Sequence, residues 1–81
     1  MIVGNKWVAS LAQEQRFFHK ALSVLVAMRH LTPQARLLVQ SVGDGEALVV
    51  QEDRMFTLER LGQSVRLIDE MGRSKGRYLV A

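Results

Sequence analysis

Residues 36–51 read RLLVQSVGDGEALVVQ, and the choice between strand and helix for most of the chain turns on them. Leu37-Leu38-Val39 and Leu48-Val49-Val50 lie on either side of Gly43-Asp44-Gly45. Aliphatic and β-branched runs around such a triplet read as a hairpin, because its turn needs a positive φ that glycine adopts at little cost. Gly45 is the expected position of that φ. Outward from the hairpin, strands are predicted at residues 36–42, 46–51, 54–60, 64–69 and 77–80. Glu52-Asp53 and Leu61-Gly62-Gln63 supply the shorter turns, and residues 72–76 a longer loop. Strands recurring at short intervals build a compact antiparallel meander. Its core-facing positions are expected to include Leu37, Val39, Leu48, Val50, Phe56 and Leu67.

A helical reading of the same region competes. Thr32 would cap a helix with Pro33 at its first position, and Asp53 would cap another over residues 54–71. Met55, Leu58, Leu61, Val65 and Ile68 recur there at intervals of three and four, and Leu67-Ile68 breaks strict strand alternation. The paired valine-rich runs favour strands.

Residues 5–31 read as one helix. Asn5 is its expected N-cap, and Thr32-Pro33 its expected end, since the residue before a proline is pushed out of the α region. At about 100° per residue, Lys6, Gln13, Arg16, Lys20, Ser23 and His30 share a polar stripe. Trp7, Leu11, Phe18, Leu22 and Leu25 lie opposite, and Phe17, Ala21, Val24 and Met28 widen that apolar face beyond the roughly 100° a surface helix needs. The expected fold is therefore α+β: a long N-terminal helix packed on a small antiparallel β-meander. The alternative is mostly α and winged-helix-like.

Size and composition narrow the function. An 81-residue chain has room for one domain, residues 1–81, and a thin core. With no cysteine it has no disulfide framework and no thiol chemistry, which suits a reducing compartment such as the cytoplasm. The opening Met1-Ile2-Val3-Gly4-Asn5-Lys6-Trp7 lacks the pattern of a secretory leader. The longest apolar run, Val24-Leu25-Val26-Ala27-Met28, is far short of the roughly 20 residues of a membrane span, so no membrane partner is expected.

Catalysis has little to work with. His19 and His30 are about 16 Å apart along a helix, too far to share a metal. In Glu52-Asp53 and Asp69-Glu70 the neighbours point apart on either a helix or a strand, so both pairs suit turns or helix ends better than an acid/base dyad. No serine sits in a nucleophile elbow. The expectation is a non-enzyme without metal or cofactor.

Charge is uneven. Residues 1–42 hold five basic residues and one acid, a net +4; residues 43–70 hold three basic residues and seven acids, a net −4; residues 71–81 add +3. Lys6, Arg16 and Lys20 on the helix, with Arg73, Lys75 and Arg77 near the end, would form an anion- or nucleic-acid-binding face if the fold brought them together. Gly72-Arg73-Ser74-Lys75-Gly76 is not a Walker loop and reads first as a solvated basic turn.

In outline, a helix followed by a five-strand meander is similar to the Sm-like arrangement, in which a ring of subunits binds RNA. The glycine and Asp/Asn positions of that family have no match in this sequence. The helical reading resembles a small winged-helix DNA binder. Two functions are expected on these grounds. The first is a non-enzymatic interaction or adaptor domain that binds itself, or another protein, through Phe17, Ala21, Val24 and Met28 of its helix. The second is a basic nucleic-acid-binding regulator, winged-helix or Sm-like, using the six basic residues.

Overall fold

Helix α1 spans Val3–Ala27, and five strands follow: β1 Arg36–Gly43, β2 Glu46–Gln51, β3 Arg54–Leu61, β4 Ser64–Ile68 and β5 Ser74–Leu79. The computed structural model describes the backbone of residues 3–43 and 45–80, and the side chains of residues 13–38 and 45–80. Each strand pairs antiparallel with its neighbour in sequence, so β1 and β5 are the edges of one sheet. The α+β reading holds, and the winged-helix alternative does not. Residues 54–71 form two strands and their turns. Phe56, Leu58, Val65 and Leu67 are buried at every second position, and the register sets Leu58 opposite Leu67. Period two wins over the three-and-four spacing because it puts all four side chains on one face.

The helix begins two residues before the expected Asn5 cap and stops well short of Thr32-Pro33. Its end is a Schellman motif: the His30 N–H donates to the Leu25 carbonyl at 2.9 Å and the Arg29 N–H to that of Val26 at 3.0 Å. Arg29 occupies the left-handed region with φ of 65°. Proline restricts only its immediate neighbour, whereas Leu31 has a stronger reason to leave the helix. It turns back under the last helical turn and is buried, as is Ala35. The Thr32 N–H then donates to Gln51 Oε1 at 2.6 Å, tying the connection to the end of β2.

Phe17, Phe18, Ala21 and Leu25 of α1 pack on the inner face of the sheet, over Ala47, Val49, Phe56, Leu58, Val65 and Leu67. Two of the expected core positions are therefore wrong. Leu48 and Val50 point to the opposite face, and Ala47 and Val49 point inward. The tight turn at Glu52-Asp53 fixes this parity by pairing Gln51 with Arg54 and Val49 with Phe56. A slip of one residue would bring Thr57 and Glu59 into the core instead. Phe56 and Leu67 are buried as expected, and Leu37 packs at the margin of the core. Val39 lies outside the described side chains.

Strand β5 begins at Ser74, three residues before the expected start. The loop assigned to residues 72–76 is accordingly shorter, with Ser74 already opposite Ile68. Asp69 reverses the chain quickly: its Oδ1 accepts the N–H groups of Met71 at 2.9 Å and Arg73 at 2.8 Å.

Arginines close both ends of the core. Arg60 lies over the Phe17 ring at 4.1 Å and pairs with Glu14 Oε1 at 2.7 Å. Arg54 lies over Phe56 at 4.7 Å and pairs with Glu70 at 2.9 Å. Such cations cover aromatic faces while keeping their heads near water. No helix of the described residues is long and apolar enough to cross a membrane.

Candidate functional site

The basic residues singled out from the sequence do not form one surface. Arg16 and Lys20 are exposed on the side of α1 turned away from the sheet. Arg77 pairs with Arg66 on the sheet face that α1 does not cover. Lys75 is on the inner side, with its Nζ 5.8 Å from the centre of the Phe56 ring, and Arg73 belongs to the turn before β5. The side chain of Lys6 lies outside the described residues. Two layers of structure thus separate the helix cations from Arg77.

The helix residues expected at an interface are also divided. Phe17 and Ala21 are buried by the chain's own sheet, Val24 is half-buried, and Met28 is 51% exposed. The surplus apolar width of the helix is largely used inside the molecule. On its other flank Leu22, Val26, Ala27, Pro33 and Ala35 line a shallow groove of about 400 Å³.

His19 is exposed on the helix. His30 stacks on Tyr78 with ring centres 4.4 Å apart. Tyr78 lies along β5, its Oη donating to the Lys75 carbonyl at 2.6 Å, and its ring covers Gly76. A β-carbon at Gly76 would stand 2.8 Å from Tyr78 Cζ, which is why that position has no side chain. This arrangement fixes Tyr78 as a packing residue at the sheet edge.

A second set of apolar side chains lies on the helix-free face of the sheet. Cross-strand register builds it in rows. Leu38, Leu48, Thr57 and Ile68 lie side by side from β1 to β4. Arg36, Val50 and Met55 form the next row towards one end, with the exposed Arg36 at the β1 edge. Towards the other end runs a charged row, Glu46, Glu59, Arg66 and Arg77, from β2 to β5. Beyond it, Leu79 lies opposite Ser64 and is 67% exposed. Leu38, Leu48, Val50 and Ile68 are half-buried, and Met55 is 44% exposed.

A signal for this face was present in the sequence. Leu37-Leu38, Val49-Val50, Met55-Phe56 and Leu67-Ile68 are adjacent apolar pairs inside strands. Neighbours on a strand point to opposite faces, so such pairs make both faces apolar. No protein-family model matches this chain, and no curated protein or solved structure matches it either.

Proposed function

We propose that this chain is a small non-enzymatic interaction domain that self-associates, and that the helix-free face of its sheet is the surface it uses. One observation carries the reading. A single helix covers one face of the five strands, while Leu38, Leu48, Val50, Met55 and Ile68 form a contiguous apolar patch on the other. An antiparallel sheet covered on one side normally alternates apolar-in with polar-out. A contiguous exposed apolar patch marks an interaction site. The non-enzymatic part rests on the sequence, which lacks cysteine and separates its two histidines by eleven residues, His19 on the helix and His30 in the connection after it.

Sedimentation equilibrium from about 10 μM to about 1 mM tests the reading, the range in which a small interface of the weak class associates. The average mass should rise with concentration from the 9.2 kDa of one chain. Ile68→Lys should hold the mass at the monomer value while the far-ultraviolet dichroism is unchanged. A chain that stays monomeric over the whole range refutes self-association. The nucleic-acid reading draws less support, because Arg16 and Lys20 on the outer side of α1 are separated from Arg77 on the helix-free face, with Lys75 on the inner side and Arg73 in a turn. Binding to generic DNA or RNA with a steep salt dependence would restore it.

A further inference from the structure

Accepting self-association through the helix-free face, we infer how the two copies meet. They stack face to face about a two-fold axis that runs parallel to the strands between β3 and β4. Strands β2 and β3 of one copy then lie over β5 and β4 of the other, so that Leu48 and Thr57 face Ser74 and Ile68 of the second copy while β1 with Leu38 stays at the rim outside the overlap. The charged row selects this geometry. From β2 to β5 it reads Glu46, Glu59, Arg66, Arg77, two acids followed by two arginines at one level of the sheet.

Rotation about an axis along the strands reverses strand order and preserves the level. It sets Glu46 against the partner's Arg77 and Glu59 against the partner's Arg66, and each contact occurs twice. A two-fold axis across the strands would keep strand order and invert the level instead. The four charges would then be pressed towards the row of Leu38, Leu48, Thr57 and Ile68, where burying them without partners is costly.

Two features of the single chain point the same way. Glu46 is directly opposite Glu59, and Arg66 directly opposite Arg77. Like charges so placed destabilise a sheet. Glu59 and Arg66 relieve each other at 2.8 Å, but among the described residues Glu46 and Arg77 have no ion-pair partner within the chain. They are opposite charges left over at the two ends of one row, and a facing copy matches both. Packed sheets cross at about 30°, which at about 7 Å from the axis displaces the outer pair by about 4 Å, within reach of an arginine.

The overlap is small. Four strands at about 4.8 Å spacing and five to six residues at about 3.4 Å give a flat footprint of about 350 Å². Standard interfaces bury about 800 Å² per partner, so this dimer belongs to the weak, transient class.

Charge reversal tests the geometry. Glu46→Arg and Arg77→Glu are exposed positions, and each change replaces a like-charge cross-strand neighbour by an opposite one, so neither threatens the fold. Each variant alone places like charges against each other twice, and should raise the monomer–dimer midpoint at least tenfold in sedimentation at low salt. An equimolar mixture of the two should restore the association of the unmodified chain, because the mixed dimer has both contacts matched. At about 1 M salt, where charges are screened beyond about 3 Å, the contrast should shrink. If the single variants dimerise as the unmodified chain does, or the mixture associates no better than either alone, this geometry is wrong while self-association stands. A chain that is monomeric throughout removes both.

Discussion

Asp69 shows how much structure one side chain supports. Its carboxylate accepts the Arg73 and Met71 N–H groups and so closes the turn between β4 and β5. The Arg73 N–H acts most strongly in holding the carboxyl below the ordinary carboxylate range. Partial burial opposes this, and the Met71 N–H and the charges of Arg73 and Lys75 reinforce it. A carboxyl with a depressed folded pKa adds stability above its unfolded value, about 3.9, and loses it as pH falls through the folded one. The stability difference between the unmodified chain and Asp69→Asn should therefore be constant near neutrality and shrink below about pH 4. Acid titration of both chains by circular dichroism checks this. A difference unchanged down to pH 2 would assign the turn to backbone geometry alone. Turn acids were readable at Asp69-Glu70, because adjacent carboxylates cannot face one site. The inward choice of Ala47 over Leu48 was not readable. Both suit a strand, and only pairing with Phe56 and Leu58 across the Glu52-Asp53 turn decides between them.

Among the elements, the hairpin of β1 and β2 is the piece that the sequence stated most openly. Gly45 has φ of 74°. A β-carbon there would lie 3.9 Å from the Arg60 carbonyl oxygen, so space is available and only the backbone conformation resists a side chain. The Arg60 N–H donates to the Gly45 carbonyl at 2.7 Å, which locks that conformation to β3. Gly45→Val should destabilise the domain by about 1–2 kcal/mol, the usual cost of the left-handed region for a side chain. Thermal unfolding measures it, and an unchanged midpoint would mean that the turn relaxes to another form. Strands β2 and β3 were legible because turn residues bound them on both sides. The first half of β5 was not. Ser74, Lys75 and Gly76 carry no apolar alternation, and their strand conformation comes from pairing with β4 and from Tyr78 lying across Gly76. The helix end was misread for a related reason, since burial of Leu31 stops it before proline can.

At the scale of the whole molecule, one helix packs on one face of five strands, and the proposed self-association through the other face would make stability depend on concentration. Anything that binds the native state and not the unfolded one stabilises it by mass action, and for a self-associating chain the ligand is the chain itself. The unfolding midpoint should therefore climb as concentration rises from about 10 μM to about 1 mM, as far as a weak dimer allows. For a domain of this length each kcal/mol of dimer stabilisation corresponds to a shift of about 4–8 °C. The Glu46→Arg chain should lose the climb and keep the dilute midpoint, or exceed it slightly, because its new neighbour across the strand is Glu59. A midpoint that falls at all concentrations would mean damage to the fold, and one that climbs as before would move the interface elsewhere. Differential scanning calorimetry at three or more concentrations separates these outcomes. The sign of the change at low concentration is the decisive quantity, since only an interface contact can stabilise the dimer while its removal leaves the monomer untouched or improved.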